Sequence, residues 1–187
     1  MFAQKDNLKI KKEDRGLSIV YFGDGKGKTS AALGLILRAS GYEQRIALVK
    51  FIKASESGED RVIRKKFPNV TFERLGLGFV GILGDKEPFQ THRRVAKKAL
   101  QKALDLISSC KYDIVILDEI LSTVAGKLLS VQEVLECFAQ KPASLTLVLT
   151  GRVLPRAILR KADLVSEIKK IKHPYDKGIK AKKGIDF

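Results

Sequence analysis

Apolar and polar positions in this chain are grouped in alternating blocks. Leu17-Ser18-Ile19-Val20-Tyr21, Arg45 to Ile52, Val70 to Leu75, Tyr112 to Glu119 and Ser144 to Thr150 are short runs bounded by polar or glycine-containing turns. The second and fourth have continuously apolar centres, Ile46 to Val49 and Ile114 to Leu117, which indicate strands covered on both faces, as in a parallel sheet. Helical spacing fills the intervals. Ala31, Ala32, Leu33, Leu35, Ile36, Leu37 and Ala39 predict a helix apolar almost all round, and therefore buried, with Gly41 ending it. Ser55 to Asp60 reads as a polar loop and Arg61 to Lys66 as one or two helical turns. Pro88 to Ser109 predicts a long amphipathic helix, with Val95, Ala99, Ala103, Leu104 and Ile107 inward and Arg93, Arg94, Lys97, Lys98 and Lys102 in solvent. Ser130 and Glu133 have capping-box spacing for a helix through Gln140, Pro155 opens a short helix, and Asp163 to Ile171 is the last expected strand. Strands alternating with helices predict an α/β fold with right-handed crossovers and a ligand site beyond the carboxyl ends of the strands.

The turn that leaves the first strand carries the most chemistry: Phe22-Gly23-Asp24-Gly25-Lys26-Gly27-Lys28-Thr29-Ser30. Glycines here let successive N–H groups converge on phosphate oxygens, and the following helix adds the positive end of its dipole. Lys28 supplies a mobile cation and Thr29 a hydroxyl for a magnesium ion. The loop is a P-loop in type, one residue short when counted from Gly23. In the predicted architecture Asp118 and Glu119 end a buried strand beside that loop, where one of them completes the metal shell; the competing reading is an acidic start to the next helix. Arg152 ends the following strand and is either a ligand for phosphate or carboxylate or a surface arginine. Gly76 to Gln90 is rich in both glycine and apolar residues, which suits a loop that covers a ligand or packs on a partner chain.

At 187 residues the chain is expected to form one domain, residues 17–187, preceded by a basic arm, residues 1–16. No apolar run is long enough to span a bilayer and Met1 to Arg15 has no apolar signal core, so a cytoplasmic protein is expected. Cys110 and Cys137 sit in apolar segments without metal-ligand spacing and are expected to be buried thiols. His92, at the start of the basic helix, is expected to be solvated, and no Ser/His/Asp or Cys/His arrangement is apparent. The net charge of +15 favours polyanions in general. Without aromatic residues interleaved among the lysines, nucleic acid is not the expected partner.

Taken together, Gly23 to Ser30, Val49 to Lys53, Gly58-Glu59, Val115 to Glu119, Leu149 to Arg152, Ala162 to Glu167 and Lys172 to Phe187 resemble the ATP:corrinoid adenosyltransferase family. The resemblance implies a P-loop NTPase fold of the RecA-like type, three layers around a mostly parallel sheet, and a homodimer. It implies ATP with magnesium, or manganese in its place, as the nucleotide. The adenosyl group would pass to the cobalt(I) of a corrinoid supplied reduced by an electron-donating partner, and tripolyphosphate would leave. Residues Gly23, Asp24, Gly25, Lys26, Gly27, Lys28, Thr29 and Ser30 would hold the nucleotide, with Arg38 and Arg152 as further contacts. Thr29, Asp118 and Glu119 would hold the metal, Lys28 and Glu119 would be catalytic, and Phe79 would face the corrin. Two positions depart from the family pattern: Gly81 stands where a tryptophan is usual and Lys182 where glutamine is common. The rival expectations are a RecA-like NTPase acting with nucleic acid and a corrinoid- or nucleotide-binding protein without transferase activity.

Overall fold

A computed structural model describes residues 15–82 and 84–186. Most of the arm 1–16, together with Leu83 and Phe187, lies outside the described residues. Six strands form one sheet: β1 (Ser18–Phe22), β2 (Ile46–Lys50), β3 (Val70–Arg74), β4 (Ile114–Asp118), β5 (Thr146–Gly151) and β6 (Leu164–Glu167). Their order is β3-β2-β4-β5-β1-β6, and every pairing is parallel. The helices are α1 (Lys28–Ser40), α2 (Gly58–Lys66), α3 (Phe89–Ser108), α4 (Ile120–Ala125), α5 (Val131–Ala139) and α6 (Arg156–Leu159).

Side chains of successive strand residues point to opposite faces, which divides the core into two layers. Val20, Ala47, Val49, Val115, Leu117, Leu147 and Leu149 pack with α3, α4 and α5 on one face. Ile19, Ile46, Leu48, Ile114, Ile116 and Val148 pack with α1 and Ile63 of α2 on the other. Each fully buried Val, Leu or Ile contributes about 1.5–3 kcal/mol relative to exposure. The three-layer α/β fold with a parallel sheet expected above is therefore present.

Several local expectations need correction. Helix α1 buries one stripe, Ala32, Ile36 and Ala39, while Leu37 is 66% exposed. Apolar composition does not specify which neighbours are present, and one face of this helix receives none among the described residues. On α3 the fully buried set is His92, Ala96, Ala99, Leu100, Ala103, Leu106 and Ile107, with Val95 and Leu104 half-buried. The basic residues do face outward. Helix α2 begins three residues earlier than its pattern suggests, because the Ser57 N–H finds the Asp60 carboxylate at 3.2 Å. Strand β6 spans only Leu164–Glu167 and is exposed throughout. Cys137 is buried as expected, but Cys110 is exposed, just beyond the end of α3.

Candidate active site

The carboxyl ends of β1, β2 and β4 open onto one cleft of about 990 Å³, at the upper end of the range for small-molecule sites, about 300–1,000 Å³. Its floor is the glycine-rich loop from Lys26 to Ser30 and its acidic side is Asp118 and Glu119. Lys50, Lys53 and Glu59 stand at a third side. Leu77, Phe79 and Ile82 of the long glycine-rich loop form an apolar wall, and Gly184, Ile185 and Asp186 of the C-terminal tail close the rim.

The glycine-rich loop Gly23–Ser30 is shaped from behind. Gly23, with φ of +121°, is so close to the next segment that a Cβ would sit 2.3 Å from the Ile168 carbonyl oxygen. A Cβ on Gly25 would come within 2.6 Å of the Lys169 backbone, and the Gly25 N–H donates to the Ile168 carbonyl at 2.8 Å. These two glycines serve loop packing and do not line the cleft. Gly27, with φ of +124°, opens α1 and does line it. Asp24 faces away, accepting the Lys170 N–H at 3.0 Å, while Lys26 is paired with Asp186 of the tail.

Lys28 is buried, and its ammonium donates to the Gly25 carbonyl at 2.7 Å within its own loop. Burial pushes its pKa below the usual lysine value. Thr29 Oγ1 donates to Asp118 at 3.0 Å. Asp118 also accepts from Thr150 Oγ1 at 2.8 Å, and the same threonine oxygen accepts the Glu119 N–H at 2.8 Å. Burial pushes the Asp118 carboxyl above the usual range. Glu119 has φ of +63°, a left-handed conformation uncommon outside glycine, and its side chain accepts from Ser122. The structure thus brings Lys28, Thr29, Asp118 and Glu119 to one place.

Two expected contacts lie elsewhere. Arg38 is exposed in the last turn of α1, ten residues and about 15 Å along the helix axis from Lys28, and does not line the cleft. Arg152 is exposed as well, with its guanidinium 5.9 Å from the centroid of the Phe79 ring and its N–H on Ser122 Oγ at 3.3 Å. It does not line the cleft, but its charge lies near enough to Lys28 to help lower that lysine's pKa.

A further residue of the cleft, Lys50, ends β2 and has no role among those the sequence suggests. Lys50 is 1% exposed, next to Asp118 across the β2–β4 pairing, and donates to Asp60 at 2.6 Å and Glu59 at 3.0 Å. Burial opposes its charge, yet these two carboxylates hold its pKa above the usual lysine value. Burial likewise opposes the Glu59 charge, but the Ser57 and Lys50 side chains outweigh it and bring the carboxyl down to about 2. A charged residue ending an apolar strand was the available signal, the same one that marked Asp118. His92, expected in solvent, is 3% exposed and bonded to Asp85. Its neighbours on α3 are basic, but its position falls on the buried stripe.

A shallower depression on the outer face of α3 is lined by Gln90, Arg93, Arg94, Lys97, Lys98 and Gln101. It has the basic surface expected from the sequence and none of the carboxylates of the main cleft.

Comparison with solved structures recovers the same architecture. The flagellar accessory protein FlaH of Methanocaldococcus jannaschii superposes with a TM-score of 0.57 at 14% identity, covering 82% of this chain and 71% of that one. A KaiC-like protein of Pyrococcus horikoshii gives 0.51 at 14% identity, covering 84% and 75%. Those similarities concern the fold. Among curated relatives, the corrinoid adenosyltransferase of Escherichia coli K12 is 34% identical over 175 residues, 94% of this chain and 87% of that protein. The corrinoid adenosyltransferase of a Sinorhizobium species is 37% identical over 188 residues, 99% and 86% respectively. With its residues 14–187 matching the family model as well, this chain belongs to the ATP:corrinoid adenosyltransferase BtuR/CobO/CobP family.

Proposed function

We propose that this protein transfers the 5′-deoxyadenosyl group of ATP to the cobalt(I) of a reduced corrinoid and releases tripolyphosphate, in corrinoid synthesis or salvage. One observation carries the reading beyond family membership: a single cleft joins a phosphate-binding end, Lys28 and Thr29 beside Asp118, to an apolar wall made by Leu77, Phe79 and Ile82. The polar end suits a triphosphate and the apolar wall a large, flat co-substrate. Among the described residues no histidine or cysteine lines the cleft, which agrees with a nucleophile that arrives as substrate.

In this reading the loop N–H groups and Lys28 bind the triphosphate and stabilise the charge that grows on it as it leaves. Lys28 reaches the phosphates by giving up its bond to Gly25. Thr29, Asp118 and Glu119 offer a hydroxyl and two carboxylates, an all-oxygen set that suits magnesium or manganese. Such an ion would supply further charge neutralisation on the phosphates. Asp118 orients Thr29, and the Thr150 bond to the Glu119 N–H holds the strained backbone that presents the Glu119 carboxylate. Lys50, Glu59 and Asp60 fix the end of β2 and the start of α2, so that the cleft keeps its width. The domain proper, residues 17–187, is proposed to act as a cytoplasmic homodimer that receives electrons for the corrinoid from a reductase. Leu37 and Tyr42, 66% and 80% exposed at the outer end of α1, support a subunit contact.

Gly81 supports a second reading, corrinoid or nucleotide binding without transfer. Its φ of +69° is a left-handed conformation that strains any side chain, so the missing tryptophan could not be restored there without cost. Incubation with ATP, magnesium and chemically reduced corrinoid separates the two. Adenosylcorrinoid and tripolyphosphate in equal amounts are expected; binding of both substrates without either product would leave the second reading in place.

A further inference from the structure

We propose that His92 is a positioning residue for the corrinoid side of the cleft, acting through Asp85 on the loop Gly76–Glu87. The proposal rests on the reading that this loop faces the corrinoid. The near end of the loop is riveted to the end of β2 and the residues just after it: Leu75 N–H donates to the Lys50 carbonyl at 3.1 Å and Gly78 N–H to the Ile52 carbonyl at 2.7 Å. Beyond that point Gly78, Gly81 and Gly84 take φ of +103°, +69° and +80°. Phe79 and Val80 are half-buried against the core, whereas Ile82 is 53% exposed. Glycine backbones are the least restricted in the unfolded or open loop, so the part of the wall carrying Ile82 would sweep a wide volume without a second anchor.

Asp85 is that anchor. Its carboxylate accepts the Gly81 N–H at 2.8 Å and the Glu87 N–H at 3.1 Å, gathering the loop around one side chain. Two hydrogen bonds within a loop do not fix it to the protein. His92 does so: in the first turn of α3 and buried in the domain, it places Nε2 3.0 and 3.1 Å from the two Asp85 oxygens. The ring is held by a helix whose inner face is core, so the constraint runs from core to His92, to Asp85, to the amides of the apolar wall. A wall already ordered before the corrinoid arrives spares the ordering entropy that binding would otherwise have to overcome. ATP, held mainly by the loop at Lys26–Ser30, does not depend on this chain of contacts.

The test uses His92→Leu, His92→Gln and Asp85→Ala in the full chain, with two readouts. In the substrate-free protein, amide hydrogen exchange at Gly81 and Glu87 is expected to speed up about tenfold or more in His92→Leu and Asp85→Ala, with the β-sheet amides unchanged. In turnover, KM for the corrinoid is expected to rise about tenfold while KM for ATP stays within about twofold, and His92→Gln, which keeps an N–H for Asp85, to recover part of the loss. Asp85→Ala keeps the proposal testable if His92→Leu does not fold. Unchanged exchange at Gly81 and Glu87 in a folded His92→Leu or in Asp85→Ala, or an equal rise in both KM values, would overturn it. Wild-type protein that makes no adenosylcorrinoid would overturn the functional reading and this proposal with it, and the exchange data would still report whether the anchor exists.

Discussion

Thr29 and Asp118, 89 positions apart in the chain, meet at 3.0 Å through the threonine hydroxyl, with the second carboxylate oxygen at 3.3 Å. The contact joins the first turn of α1 to the end of β4, and so joins the glycine-rich loop to its acidic neighbour. Asp118 spends stability to stand there. Burial raises its pKa, with the adjacent Glu119 charge pushing the same way against the bonds from Thr150 and Thr29. For an acid whose folded pKa is raised, folding favours the neutral form, so stability falls as pH climbs through that range.

Asp118→Asn therefore has opposite expected effects on stability and function. Asparagine still accepts from Thr29 and Thr150 and removes the buried charge. The metal-free variant is expected to melt about 3 °C higher, which corresponds to roughly 1 kcal/mol for a chain of this length. Adenosyl transfer with magnesium is expected to fall at least about 100-fold. Thermal melting without metal and a turnover assay check the two halves, and a lower melting point with full turnover would contradict both.

Lys28→Ala should abolish transfer while the fold persists. Among the described residues the ammonium is bonded only inside its own loop, to the Gly25 carbonyl, and burial already disfavours its charge. Its removal is expected to leave the melting temperature within about 3 °C of wild type, under about 1 kcal/mol, and to lower transfer by about 10²–10³-fold, as for loss of one transition-state donor. Near-normal transfer would remove the loop from the mechanism.

The Lys50 cluster predicts a large stability effect and an acid transition. Asp60→Ala leaves the fully buried Lys50 with only the half-buried Glu59, and breaking a buried pair in this way costs about 3–5 kcal/mol. Urea unfolding at pH 7 measures it. Glu59, lowered from 4.5 to about 2, contributes stability that is fully present above pH 4.5 and lost as pH falls toward 2. Glu59→Gln should flatten the fall in urea midpoint across that window; an unaltered pH profile would mean that the pairing does not persist in solution.

Much of this architecture is legible from residue order. Continuously apolar strand centres imply a sheet covered on both faces, and Gly-Lys-Thr after the first strand implies a phosphate-binding helix start, because both features follow from local chemistry. Asp118 was legible for the same reason, as an acid at the end of an apolar strand. His92 and Cys110 were misread because burial depends on what packs against a residue. His92 falls on the covered stripe of a helix whose adjacent residues, Arg93 and Arg94, are basic and exposed, and Cys110 follows the last turn of the same helix, where cover ends. Leu37 shows the converse, an apolar residue that nothing among the described residues covers.

The sequence by itself determined the alternation of strands and helices, the phosphate-binding loop, the acid pair that ends β4 and the family, since each is written in contiguous residues whose backbone and side-chain preferences act locally. Tertiary structure alone decided which distant groups share a dielectric and a hydrogen bond. It set Thr29 against Asp118, closed Lys50 between Asp60 and Glu59, backed Gly23 and Gly25 with Ile168 and Lys169, and tied the glycine-rich loop through Asp85 to His92. Those relationships depend on strand order and crossover geometry, which bring together positions that no local spacing relates.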